Sequence, residues 1–231
     1  MPMAPGSGER RFDLHLHTTY SPDGEMTPAD LVRTAVAKDL NGIAITDHNT
    51  TGGIAPAREE AKKFEGFLVI PAMEVSSREG HVIALGVESP IASGLAVAET
   101  VEKIRSAGGL PVASHPFRRF TGIGEDCIRS ARFEALEVLN GRSPSRKNLR
   151  ACRLAVDLKL GLSAGSDGHK VSEVGRCYLV TESAPGSVDG FLEMIRRQKV
   201  KAWGRSASFI DVARTLAKIT TELLKRRGKR I

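Results

Sequence analysis

Short apolar runs alternate with longer segments of helical period from Arg11 almost to the end of the chain. That alternation restricts the fold to βα units around a mainly parallel sheet. The expected strands cover residues 11–17, 43–46, 67–73, 110–113, 135–139, 162–165 and 177–180. An additional strand is expected at 81–87 and a short one at 201–203. Helices are expected between them, with a last one at 209–225 carrying Val212, Leu216, Ile219 and Leu223 on one stripe. Thr27-Pro28-Ala29-Asp30 reads as an N-cap, a proline at the first helical position and an acid two residues further on. Asn41-Gly42 is expected to end that helix in the left-handed conformation, and Gly108-Gly109 to stop a later one.

All six histidines fall in short motifs at the ends of these strands. His15 and His17 close the first strand, Asp47 and His48 follow the second, and Glu74 follows the third. His81 opens the additional strand, His115 follows residues 110–113, Asn140 follows 135–139, and Asp167 with His169 follows 162–165. In a barrel of parallel strands the C-terminal ends converge on one face. His15 and His17, two apart on a strand, point the same way, so one ion can take both. Neutral imidazole and carboxylate together suit zinc, manganese or iron. A chain using histidine for packing would scatter it, and this one does not.

The motifs Asp13-Leu14-His15-Leu16-His17-Thr18-Thr19-Tyr20-Ser21, Thr46-Asp47-His48-Asn49, Glu74-Val75-Ser76 with Gly80-His81, Ser114-His115-Pro116-Phe117 and Gly165-Ser166-Asp167-Gly168-His169 resemble the polymerase and histidinol phosphatase (PHP) family. The match runs over residues 11–182 with the motifs in order, and resembles the small stand-alone members. The resemblance implies a distorted (β/α)7 TIM-like barrel with two or three Zn, Mn or Fe ions at the C-terminal strand ends, and phosphoesterase chemistry. The chain is expected to divide into a disordered lead-in (1–10), a barrel domain (11–205) and a basic C-terminal helix and tail packed on the barrel (206–231).

Carried over by resemblance, one ion would take His15, His17, Glu74 and Asp167. A second would take Glu74, His81 and His115, with Glu74 bridging, and a third Asp23, His48 and His169. Glu74, Asp167 and His115 would be the catalytic residues. Ser21-Pro22-Asp23-Gly24 stands where some members have a further histidine, as in the nucleotide-hydrolysing branch. Two cations sharing a carboxylate lower the pKa of a shared water from ~15.7 towards ~7, giving a hydroxide that attacks phosphorus in line. Asp47 is expected to orient an imidazole rather than bind metal. Arg118 and Arg142, with Asn140, are the expected substrate contacts, because guanidinium forks suit a phosphate dianion. Arg146 and Arg176 are weaker candidates.

The charge of the chain, +7, lies almost entirely in residues 201–231, which hold nine Lys/Arg against Asp211 and Glu222. Such a segment is either a solvated end or an attraction for nucleic acid through its phosphates. No run of eighteen apolar residues suggests a membrane span, and the N-terminal residues lack the apolar core of a signal peptide. Cys127, Cys152 and Cys177 form no Cys-x-x-Cys pattern, so reduced thiols in a cytoplasmic protein are expected. Three functions follow: a phosphoesterase on a nucleotide or short oligonucleotide, favoured by Asp23 and the basic tail; a small-metabolite phosphatase such as histidinol-phosphate phosphatase; and a metal-stabilised binding module without turnover. Intact ligands weigh against the third.

Overall fold

The computed structural model describes residues 8–208. The helix expected at 209–225 lies outside the described residues, as do the first seven residues of the expected lead-in. The strands are β1 (Arg10–Leu16), β2 (Gly42–Ile45), β3 (Leu68–Ser76), β4 (His81–Leu85), β5 (Leu110–Ala113), β6 (Ala135–Asn140), β7 (Gly161–Gly165), β8 (Cys177–Thr181) and β9 (Lys201–Gly204). The α-helices are α1 (Pro28–Ala37), α2 (Ile54–Ala61), α3 (Val97–Ser106), α4 (Glu125–Ser130), α5 (Ser145–Asp157) and α6 (Val188–Arg196). None of the described helices is long and apolar enough to cross a membrane.

The sheet order is β7-β6-β5-β4-β3-β2-β1-β8-β9. β1, β2 and β3 are mutually parallel, as are β5, β6 and β7, while β4 runs antiparallel to both β3 and β5. The sheet curls until the residues after β7 meet β1. His17 N donates to Gly168 O at 2.9 Å, and Ser166 N donates to Asp13 Oδ1 at 2.9 Å. The outcome is a nearly closed, distorted barrel of seven strands. β8 pairs antiparallel with the first residues of β1, so its C-terminal end points away from the mouth where the other strand ends converge.

The strand at His81 was expected only as an addition to a parallel set. Its reversed direction has a consequence for the site, because it brings the first residue of β4, not the last, to the mouth. Gly165 marks the seam. A Cβ there would lie 2.3 Å from the Cβ of His15, so only glycine lets β7 approach β1 this closely.

Phe12, Leu14, Ile70, Ile83 and Val112 fill the barrel interior together with Phe191 of α6. The rings of Phe12 and Phe191 lie 4.5 Å apart, near the strand starts, so α6 closes the end opposite the mouth. Burying a side chain of this size contributes roughly 1.5–3 kcal/mol. Leu16 departs from this alternation and packs outside, with Leu31, Ile43 and Ile54. The cause is a register shift between Asp13 and Leu16, where β1 carries one residue more than β2. The bulge changes the phase of the strand and turns His15 and His17 into the mouth.

At α1 the expected start is observed: Thr27 Oγ1 accepts from Asp30 N at 3.1 Å and Pro28 begins the helix. Its end differs. Asp39, not Asn41 or Gly42, adopts the left-handed conformation, with φ 56°. Gly42 instead opens β2, where a Cβ would lie 2.5 Å from Leu68 O. The glycine serves close strand packing rather than helix termination. Gly108 does end α3 with φ 80° as expected.

Candidate metal centre

Glu74, at the end of the long β3, is 1% exposed and is surrounded by five imidazoles. Its Oε2 lies 3.4 Å from His15 Nε2, 3.5 Å from His17 Nε2 and 3.3 Å from His48 Nδ1. Its Oε1 lies 3.2 Å from His81 Nδ1 and 3.1 Å from His115 Nε2. Asp167 Oδ1 adds 3.7 Å contacts to both His15 Nε2 and His17 Nε2. Next to these, Asp23 Oδ2 lies 2.9 Å from His169 Nε2 and 3.8 Å from His48 Nε2.

Four of these ring nitrogens, His15 Nε2, His17 Nε2, His48 Nδ1 and His81 Nδ1, are buried without a hydrogen-bond partner. Buried polar atoms rarely stay unsatisfied, and here all four face one carboxylate. Tetrahedral ligands about 2.1 Å from a zinc ion lie ~3.4 Å from one another, which is the spacing of the donors around Glu74. The donor set therefore fits divalent metal. The candidate ligands fall into four overlapping groups: His15, His17 and Asp167; His15, Glu74 and His115; His48, Glu74 and His81; and His17, Asp23, His48 and His169. The first two sets expected from the sequence share Glu74, and His17 and His48 link the third to them. His48 turns one nitrogen to Glu74 and the other to Asp23, and His17 belongs to two groups.

The electrostatics favour a cation at this point. Burial opposes charge on His15, but the carboxylates of Glu137, Glu74 and Asp167 overcome it and hold the ring well above its usual range. Burial likewise opposes ionisation of Glu74, yet His15, His115 and His81 keep it well below the usual carboxylate range. For Asp167, burial is outweighed by Arg118, His15, Arg142 and His169, and it too lies well below. His17 goes the other way: burial and the neighbouring His169 push it well below an ordinary histidine. A lone pair, not a proton, is favoured there. Two residues of the mouth, His115 with φ 26° and Asp167 with φ 53°, sit in a backbone region that side chains rarely adopt. Such strain collects at functional sites.

A layer of hydrogen bonds behind the donors fixes their aim. His15 Nδ1 meets Glu137 Oε1 at 2.8 Å, and Glu137 Oε2 accepts from His115 N at 2.6 Å. Ser114 Oγ donates to Glu74 Oε1 at 2.6 Å, and Ser21 Oγ lies 3.1 Å from His17 Nδ1. Sequence reasoning passed over Glu137. Its one signal was an acid in the middle of the otherwise apolar Ala135-Leu136-Glu137-Val138-Leu139.

Asp47, expected to orient an imidazole, instead accepts from Thr18 N at 2.6 Å and Thr18 Oγ1 at 2.7 Å. It anchors the loop after β1, while Glu137 is a carboxylate that bonds an imidazole directly. Asn140, expected at the substrate, is fully buried. Its amide donates to Glu137 Oε2 and Asp167 Oδ2, and its oxygen accepts from Arg118 and from Arg142 N. Both ends are occupied, which leaves it a brace beneath Asp167. Arg118 and Arg142 do reach the rim: Arg118 Nη2 lies 2.5 Å from Asp167 Oδ2, and Arg142 Nη1 lies 2.8 Å from His169 Nδ1.

The sequence model of the PHP domain matches residues 13–138, and that of the PHP-associated region matches residues 145–200. The chain belongs to the PHP domain family. Membership places this PHP protein among the metal-dependent phosphoesterases. An uncharacterized protein of Methanocaldococcus jannaschii is 35% identical over 140 residues, which is 56% of this chain and 81% of that protein. The 5'-3' exoribonuclease Rnm of Escherichia coli is 45% identical over 82 residues, 33% of this chain and only 28% of the ribonuclease. Among solved structures, a two-domain Bacteroides vulgatus protein containing a predicted PHP-like metal-dependent phosphoesterase superposes with TM-score 0.69 at 18% identity, covering 85% of this chain and 65% of that one.

Proposed function

We propose that the protein hydrolyses a phosphate ester of a nucleotide or short oligonucleotide, using two or three divalent ions held by His15, His17, Asp23, His48, Glu74, His81, His115, Asp167 and His169. The observation that carries this reading is the ring of five imidazoles on the two oxygens of Glu74. When bound, the ions would supply a Lewis acid and lower the pKa of a water from ~15.7 towards ~7.

The protein's own groups set the geometry. Glu74 presents one oxygen to each side of the mouth, so it can bridge two ions. The carboxylate of Glu137 can only accept from His15 Nδ1, which fixes the ring with Nε2 facing inward. Asp167 is held between Asn140 and Arg118 and faces the rings of His15 and His17. Arg118 and Arg142 stand at the rim, each about a third exposed or less, where a phosphate dianion would exchange for their present contacts. The nucleotide preference draws on Asp23 beside His169, on the similarity to an exoribonuclease, and on the basic C-terminal segment. The three free cysteines support a reducing, cytoplasmic setting.

A screen of purified, Mn-loaded protein against nucleoside bisphosphates, 5′-phosphorylated oligonucleotides and histidinol phosphate tests the reading. Faster turnover of the nucleotide substrates is expected. Exclusive turnover of histidinol phosphate would replace it with a small-metabolite phosphatase, and turnover of none would leave a metal-stabilised binding module.

A further inference from the structure

The rim of the mouth between β5 and α5 carries cations without a carboxylate partner among the described residues. Other arginines are paired with carboxylates, for example Arg33 with Asp30 and Glu60, Arg58 with Glu88, and Arg129 with Glu125 and Asp157. Arg119, Arg146 and Lys147 have no carboxylate partner among the described residues, although the fold draws them together. Arg118 is pinned to Asn140, and Asn140 exchanges backbone-to-amide hydrogen bonds with Asn148 of α5 at 3.2 and 3.0 Å. The Arg150 guanidinium lies 4.0 Å from the centre of the Phe117 ring, tying α5 to the loop after β5 from the other side. These two ties join the loop that carries Arg119 to the helix that carries Arg146 and Lys147. Partial burial and the nearby charges of Arg146, Arg118 and Arg119 hold the Lys147 ammonium below its ordinary range. Like charges held together without a counter-charge favour an anion between them.

Phe120 stands at the tip of the same loop, 82% exposed, with Arg119 stacked on its ring at 5.2 Å. Cations next to an exposed aromatic face are the combination used to hold single-stranded nucleic acid. We infer that Arg119, Arg146 and Lys147 form a second phosphate subsite beside the metal centre, and that Phe120 stacks on the base adjoining that phosphate. This inference rests on the phosphoesterase reading and narrows it: the preferred substrate carries a phosphate beyond the one that is cleaved. Arg118 contacts the reacting end, and the subsite positions the rest.

The test is the double variant Arg119→Ala/Lys147→Ala, with Arg58→Ala/Lys62→Ala as a control of equal charge loss on another surface. With Mn-loaded protein, kcat/KM for a 5′-phosphorylated dinucleotide should fall by about 10- to 100-fold, mostly through KM, as expected for loss of charge-assisted hydrogen bonds. For p-nitrophenyl phosphate, with its single phosphate, the change should stay within about threefold. Binding of a fluorescent 5′-phosphorylated pentathymidylate, measured without added metal, gives a readout that needs no turnover. Removing two phosphate contacts should lower the slope of log affinity against log salt by about 1.4. The control should match the wild type in both. Equal losses on both substrates, or an unchanged salt slope, would overturn the subsite. If the wild type cleaves neither substrate, the phosphoesterase reading fails and the salt slope alone decides the subsite.

Discussion

The carboxylate of Glu137 meets His15 Nδ1 at 2.8 Å, on the side of the ring away from Glu74. The same carboxylate receives the backbone N–H of His115 through its other oxygen. One buried acid thus fixes a donor on β1 and another after β5. Glu137→Gln keeps the shape but weakens the hold on both. Metal affinity is expected to fall by about 10- to 100-fold, in line with the loss of such outer partners elsewhere. Competition with a chelating dye reads this directly, and an unchanged affinity in a folded variant would remove the role given to Glu137.

Much of the site was legible because its donors stand in compact motifs at strand ends, where side-chain chemistry and position agree. Glu137 was not legible for a local reason. In an alternating strand a single acid reads as a solvent-facing residue, and only closure of the barrel turns that face inward. His81 shows the same limit. Its motif was plain, but the direction of β4 depends on pairing with β3 and β5, which no local pattern encodes. The bulge that aims His15 and His17 was equally hidden, since the i, i+2 spacing looks identical in a regular strand. Asp47 stands directly before His48 in sequence, and no local pattern shows that its carboxylate turns to Thr18.

Asp13 stitches the barrel seam, accepting from Ser166 N, Ser166 Oγ and Gly175 N. Burial pushes its carboxyl up to about 6 from 3.8 despite those bonds. A carboxyl raised on folding takes up a proton, so its contribution to stability is present below pH ~4 and is lost as pH rises through ~6. Asp13→Asn cannot titrate. Relative to this variant, the wild type should lose on the order of 3 kcal/mol between pH 4 and 7, from 1.36 kcal/mol per pKa unit. Urea unfolding of both proteins across that range checks it, and a constant difference would contradict it.

Asp23 is half exposed, with its carboxylate 2.9 Å from His169 Nε2 and 3.8 Å from His48 Nε2. Asp23→Ala should therefore lower the occupancy of one outer site and reduce turnover, while the His15/His17 site stays filled. Titration with Mn followed by elemental analysis distinguishes the sites by stoichiometry. A wild type that never binds more than two ions at saturation would make Asp23 a turn residue.

The chain leaves the described region beside the basic rim: Asn148 Nδ2 donates to Ser206 Oγ at 2.9 Å, and Ala207 N to Ser143 O at 3.0 Å. Truncation after Thr221 removes five of the nine Lys/Arg in residues 201–231 and none of the candidate ligands. Affinity for oligonucleotides should fall and its salt dependence flatten, since fewer counterions are released. Hydrolysis of a mononucleotide should change little. Circular dichroism first establishes that the shortened protein is folded. Equal effects on both substrates, or none on either, would make the tail a solvated end.

The most direct test of the whole account is phosphate release from a 5′-phosphorylated oligonucleotide by protein stripped with a chelator and then reloaded with Mn. Stripped wild type should be inactive and reloading should restore it. Glu74→Ala should remain inactive after reloading and contain at least one ion fewer per chain than the wild type. Undiminished activity in the stripped protein, or a Glu74→Ala variant with full metal content and turnover, would contradict a metal centre bridged by Glu74.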